Sequence, residues 1–260
     1  MPKIRIASVS FVNARPLIHR LEEAPDVTLM LDVPSRLIDH LRDGTADVAL
    51  LPVIDYQRLD GLTVVPAGGI GSDGATLTVR IFSRVPIEQV RSLACDSDSH
   101  TSVALARIIL ARRHKLRPEF CDLSRASDEP TQARLLIGDK VVCDEPAGFG
   151  HQLDLGAEWK ELTGLPFVFA VWTARRGVDA SYIEGHLERS KRAGLAEIER
   201  IIRDHAVPRG WPADLARQYL TRHLQYDIGE RELQAIRHFH RLAAEEGIIS
   251  SAKPLVIHRL

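Results

Sequence analysis

Aromatic residues are scarce in this chain, at 5% of 260 positions. No apolar run comes near the ~20 residues a helix needs to cross a bilayer. Cysteine is almost missing too. Cys95, Cys121 and Cys143 stand far apart, odd in number and with no Cys-x-x-Cys pair. That excludes a disulfide framework and a zinc knuckle, and all three are expected as small core residues. Nor is there an excess of one charge: 34 Lys and Arg face 35 Asp and Glu, for a net −1. Nothing therefore argues for nucleic acid or a membrane surface as a partner. The amino terminus has no charged leader followed by an apolar core, because strand-like alternation begins at Ile4, so a cytoplasmic protein is expected. A Gly-x-Ser-x-Gly elbow and a Walker sequence are absent, and no helix follows the glycine-rich run from Gly68 to Gly74, so it is no dinucleotide fingerprint. None of the eleven histidines has metal-ligand spacing, and His238 and His240, two apart on a helix, point to different faces. Neither a metal nor an organic cofactor is expected.

What is present reads as a soluble α/β chain. Apolar residues make up 45% and charged residues 27%, and the length suffices for one large domain or two lobes with real cores. Ile4 to Val9 alternates like a strand, and a helix follows from about Pro16. Val27 to Val33 is a strand. Pro34 to Arg42 is a helix with Leu37, Ile38 and Leu41 on one face and Gly44 as its stop. Asp47 to Leu51 is a short buried strand ending at Pro52. This alternation predicts a mainly parallel sheet covered by helices. The run Gly68 to Gly74 lacks the Gly-Lys-Ser/Thr ending of a phosphate loop. It reads either as a turn where the backbone approaches something closely or as a flexible link, before a strand from Thr76 to Ser83.

Around Val85-Pro86-Ile87 the chain is expected to change lobe. A strand at Val90 to Asp96, a helix at Thr101 to Arg113, a strand at Arg134 to Ile137 with a Gly138-Asp139 turn, and a brief strand at Lys140 to Cys143 follow. Leu165 to Ala174 parallels Leu77 to Arg84, each an apolar segment ending at basic residues, and the pair would serve as a double hinge. Ser181 to Asp204, Ala213 to His223 and Glu230 to Glu246 are amphipathic helices expected to pack back on the first lobe. The predicted organisation is residues 1–87 plus 173–260 as one lobe and 88–172 as the other.

Candidate functional residues gather at strand ends. Ser10 and Asn13 leave the carboxyl end of the first strand, where open α/β sheets bind ligands, although Asn13 is equally a favoured helix cap. Ser99, Thr101 and Ser102 stand where a strand turns into a helix. The first-turn amides there are unpaired at the positive end of the dipole, and neighbouring hydroxyls would complete a carboxylate site or simply cap the helix. Thr78 lies on the expected hinge strand. Arg80 is two residues on, on the same face of a regular strand, and is expected to face solvent. Arg15 is placed either against an anion or on the surface, and Asp139 at a turn or cap.

Four segments carry a family resemblance. They are Val9-Ser10-Phe11-Val12-Asn13-Ala14-Arg15-Pro16-Leu17; Gly71-Ser72-Asp73-Gly74 with Thr78-Val79-Arg80-Ile81-Phe82-Ser83; Ser99-His100-Thr101-Ser102-Val103-Ala104-Leu105; and Thr163-Gly164-Leu165-Pro166-Phe167-Val168-Phe169-Ala170-Val171-Trp172. In order and spacing they resemble the menaquinone-biosynthesis chorismate dehydratases, the first enzymes of the futalosine route. The resemblance implies an α/β, two-lobed, periplasmic-binding-protein-like (type II) fold with a ligand cleft between lobes. It implies a hydro-lyase that converts chorismate to 3-[(1-carboxyvinyl)oxy]benzoate with loss of water. Asn13 would be catalytic, and Ser10, Thr78, Ser99, Thr101 and Ser102 would bind the dicarboxylate substrate. Phe11 stands where that branch often has tyrosine, and Thr78 where many members have serine. Aromatisation supplies a large driving force, so a motif set of Asn, Ser and Thr without an obvious base fits the reaction. The proton acceptor is then either a carboxylate of the substrate itself or an Asp or Glu of the cleft. Two other readings stay open: a non-catalytic cytoplasmic binding protein for small carboxylates, and the sister enzyme 1,4-dihydroxy-6-naphthoate synthase. The oligomeric state is left open.

Overall fold

The computed structural model describes residues 3–96, 98–123, 131–144 and 146–258. The chain begins as strand β1 (Ile4–Val9), helix α1 (Arg15–Ile18), β2 (Val27–Asp32), α2 (Leu37–Arg42), β3 (Val48–Pro52) and β4 (Thr63–Ser72). It continues as β5 (Val79–Ser83), β6 (Ser92–Cys95), α3 (His100–Arg112), β7 (Glu119–Asp122), β8 (Ala133–Ile137), α4 (Asp139–Cys143), β9 (His151–Asp154) and α5 (Leu155–Thr163). β10 (Phe167–Ala174) follows, and helices α6 (Ala180–Ala196), α7 (Ile198–Ile201), α8 (Ala213–Gln218) and α9 (Glu230–Glu245) close the chain.

The strands form two five-stranded sheets, ordered β2-β1-β3-β10-β4 and β7-β6-β8-β5-β9. Each is mixed. β1 runs parallel to β2 and β3, and β6 to β7 and β8, whereas β10 and β5 run antiparallel to both of their neighbours. The continuous apolar run of β3 is buried along its whole length, as suits a strand covered on both faces.

The lobe boundaries differ from those expected at 87/88 and 172/173. β5 already pairs within the second sheet, and β10 lies wholly within the first, between β3 and β4. Each apolar segment therefore serves one sheet, and the crossings fall at residues 73–78 and 155–166. The glycines of the Gly68–Gly74 run belong mostly to β4 rather than to a turn. A Cβ on Gly69 would sit 2.5 Å from the Ala170 carbonyl oxygen, beside the register shifts of the β4–β10 ladder. Lys140 to Cys143 is helical, in α4, and not a strand. β7, β9 and α5 went unanticipated.

One carboxylate fixes the first crossing. Asp154 caps α5 by accepting from the Gly156 and Ala157 amides at 3.0 and 3.1 Å. It also accepts from the Thr76 and Leu77 amides at 2.9 and 2.8 Å. Leu77 is held at φ +68°, a conformation that a branched side chain rarely adopts. Asp154→Ala removes a cap and strands buried donors, so we expect a loss of about 2–4 kcal/mol in urea unfolding. A loss below about 0.5 kcal/mol would show that water replaces the carboxylate freely.

The carboxyl-terminal helices cover the first sheet. α6 crosses α1 so closely that a Cβ on Gly194 would fall 2.2 Å from the Pro16 carbonyl oxygen. A cluster of four aromatics, Trp159, Phe167, Phe169 and Phe239, sits where α5, β10 and α9 meet. Trp159 packs edge-on to Phe167 at 5.2 Å, and Phe167 to Phe239 at 5.1 Å.

The cysteines do not share one environment. Cys95 is buried, with burial pushing its thiol up to about 12, but Cys121 is partly exposed and Cys143 exposed at the last residue of α4. Among the described residues no helix is long and apolar enough to cross a membrane.

Candidate active site

Where the carboxyl ends of β1 and β3 face the ends of β5 and β8, the chain leaves a cavity of about 60 Å³. Both sheets and the carboxyl-terminal segment line it, through residues such as Asn13, Pro52 and Ile70, Thr78 and Ser102, and Tyr219. No carboxylate, ammonium, guanidinium or imidazole lies among the described lining residues. The polar atoms are hydroxyls, one carboxamide and backbone.

Five of the six expected site residues meet here: Asn13, Thr78, Ser99, Thr101 and Ser102. Ser10 is not among the lining residues. Its carbonyl oxygen instead accepts from the guanidinium groups of Arg15 at 3.1 Å and Arg209 at 3.2 Å. Arg15 thus braces the loop after β1 and does not reach the cavity wall. Arg80 is also turned aside, donating to Gln152 at 2.9 Å and lying 3.6 Å from Asp154. It is partly covered by β9 and not left in solvent, because an arginine in an apolar strand needs partners.

The start of α3 is built as a cap and as a cavity wall at once. Ser99 Oγ accepts from the Ser102 amide at 3.3 Å and donates to Ser102 Oγ at 2.8 Å. Thr101 Oγ1 accepts from the Ile54 amide across the gap between the lobes, at 3.3 Å. His100, beside it, reaches the fully buried Asp55 carboxylate at 2.9 Å. The helix end is therefore held against the first sheet from two sides, and it aims first-turn amides and hydroxyls at the cavity.

On the opposite wall Thr78 Oγ1 and the Tyr219 hydroxyl lie 2.7 Å apart, both buried. Asn13 also hydrogen-bonds that phenol, and burial is the largest cause of its raised pKa, so it stays protonated at neutral pH. The Asn13 Oδ1 atom is buried and meets no hydrogen-bond partner among the described residues. A buried acceptor left open on a cavity wall is a natural contact for a ligand donor. Behind this wall Trp211 stacks on Tyr219 at 5.0 Å with 23° between the rings. Asp139, expected as a turn or cap residue, is the first residue of α4 and sits in this same layer, where burial raises its carboxyl.

A family model described as menaquinone biosynthesis matches residues 4–245 of this chain. The chain belongs to that family. Two relatives of this menaquinone-biosynthesis protein are chorismate dehydratases. That of Thermus thermophilus is 26% identical over 254 residues, covering 88% of this chain and 91% of the relative. That of Campylobacter jejuni is 24% identical over 246 residues, covering 89% and 93%. Among solved structures, a protein of Archaeoglobus fulgidus superposes with a TM-score of 0.76 at 18% identity, over 95% of this chain and 98% of its own. The periplasmic aliphatic sulphonate binding protein of Escherichia coli superposes at 0.66 with 13% identity, over 100% and 95%. The family member described here thus has the expected periplasmic-binding-protein-like α/β fold.

Sequence reasoning did not find Tyr219. It lies 141 residues from Thr78, in a segment whose pattern announces only an amphipathic helix. The one available hint is that a chain this poor in aromatics places a tyrosine on the apolar face just after Trp211.

Proposed function

We propose that this protein dehydrates chorismate to 3-[(1-carboxyvinyl)oxy]benzoate, a step of the futalosine route to menaquinone. The observation that carries the reading is the open, buried Asn13 Oδ1, set beside the Tyr219–Thr78 hydroxyl pair in a cavity lined by neutral groups. The names of the two relatives support it.

The reaction needs only elimination. The ring C3–H bond breaks, its electron pair becomes a ring π bond, the C4–O bond breaks, and hydroxide takes a proton to leave as water. The ring becomes aromatic, and no oxidant or reductant enters. Ser99, Thr101 and Ser102, with the first-turn amides of α3, hold a substrate carboxylate through oriented dipoles. Asn13 Oδ1 accepts from the C4 hydroxyl and fixes its direction. The phenol of Tyr219, hydrogen-bonded to Thr78, keeps its proton and donates a hydrogen bond to the oxygen that departs. Among the described residues no carboxylate or imidazole lines the cavity, and in this reading a carboxylate of the substrate itself takes the C3 proton and passes it to the leaving hydroxide. Closure of the lobes excludes water during these steps.

Purified protein mixed with chorismate tests this reading, with the ultraviolet spectrum and product mass followed against a protein-free control. An aromatic product lighter by one water is expected. A thermal shift on chorismate without product would make the protein a carboxylate binder. Neither turnover nor shift would move the search to cyclic dehypoxanthine futalosine, the sister enzyme's substrate.

A further inference from the structure

Asp139 does not line the cavity, yet it touches all three parts of the chain that build it. It belongs to the second lobe, directly after β8 and Gly138. Its carboxylate accepts from the Trp211 indole Nε1–H at 3.1 Å and from the backbone amide of Val12. Val12 precedes Asn13, and Trp211 stacks on Tyr219. Arg209 lies 3.7 Å from the same carboxylate and also donates to the Ser10 carbonyl at 3.2 Å. One partly buried acceptor thereby joins the loop that carries the carboxamide, the ring that backs the phenol, and the second sheet.

We infer that Asp139 is a positioning residue whose two accepted hydrogen bonds hold Asn13 and Tyr219 in register across the lobes. The inference rests on the reading that the cavity performs the chemistry, and it extends that reading to a residue outside the cavity. Local sequence cannot explain the arrangement as a simple helix cap. Asp139 is itself the first residue of α4, and the bonds leave its own helix for Val12 and Trp211.

The test compares wild type, Asp139→Ala, Trp211→Phe and the double variant. Trp211→Phe keeps an aromatic ring against Tyr219 and deletes the indole donor together with part of the buried ring. Hydrogen exchange of the amides at residues 12–14 is read first, because it needs no substrate. In Asp139→Ala it is expected to quicken about tenfold relative to the β8 amides of the same protein. With chorismate as substrate, kcat per folded molecule should fall about tenfold in Asp139→Ala with KM changed less than about twofold, since misplacement of reacting groups acts on the rate. Trp211→Phe should lower kcat by a smaller factor, and the double variant should be no slower than Asp139→Ala, because both changes cut the same bond. A lowered melting temperature with unchanged kcat, unchanged exchange at 12–14, or additive losses in the double variant would each overturn the inference. If wild type leaves chorismate untouched while exchange at 12–14 quickens in Asp139→Ala, the positioning role stands and the dehydratase reading falls.

Discussion

Asn13→Ala is expected to lower kcat for chorismate by about 100-fold, the scale on which loss of one orienting polar group acts in a dry site. The argument starts from the unpaired Oδ1. Within the protein the carboxamide gives up only its hydrogen bond to Tyr219, so folding should lose about 1 kcal/mol. The rest of its bonding capacity is spent on whatever occupies the cavity. If α3 holds the carboxylate as proposed, KM should move little, and the loss should sit in kcat. Asn13→Asp separates shape from charge. It keeps the outline of the side chain but places an anion in a neutral-lined cavity that must take a dicarboxylate, so it should raise KM as well as lower kcat. Near-normal turnover in folded Asn13→Ala would remove this residue from the mechanism, whatever the fate of the other variants.

The parts of the molecule legible in the sequence are those encoded locally. β1, α2 and β3 follow from alternation, an apolar face with a glycine stop, and a short continuous apolar run. The Ser99 cap follows from a small hydroxyl at the start of a strongly helical segment. Asn13 could be singled out because it leaves a strand at the sheet end where ligands bind. The failures are non-local. Gly69 and Gly71 look like a turn until β10 is laid beside them, because their lack of a Cβ serves the partner strand's backbone. Leu165 to Ala174 was expected to bridge the lobes as a hinge, yet it is an interior strand of one sheet, and apolarity alone does not distinguish the two. Ser10 drew attention for its hydroxyl, whereas the structure uses its carbonyl, a group every residue has. Asp154, Asp139 and Tyr219 act on backbone or side chains distant in sequence, and no local window holds both partners of any of these bonds.

Tyr219→Phe should slow turnover by about 100-fold, at the lower end of what one positioned hydrogen-bond donor to a developing charge supplies. The change is conservative in shape. The stack on Trp211 depends on the ring and survives, and the deleted oxygen lies on the cavity side, 2.7 Å from Thr78. Thr78 Oγ1 and the Asn13 amide each lose a partner, which sets the expected destabilisation at about 1–2 kcal/mol. Burial raises the phenol's pKa, so the wild-type group is the neutral donor throughout the range where the protein works. The deficit of the Phe variant should then be constant with pH from about 6 to 9, with no new limb in the profile. Asn13 and Tyr219 share a hydrogen bond and, in the proposed reaction, act on one leaving group, so the double variant should fall short of the product of the single losses. A fall confined to kcat assigns the phenol to the transition state. A rise confined to KM assigns it to holding the ground-state substrate. Unchanged kinetics with a lowered melting temperature reduces Tyr219 to a brace for Thr78, and the leaving oxygen then takes its proton from the substrate's own carboxyl without help from the phenol.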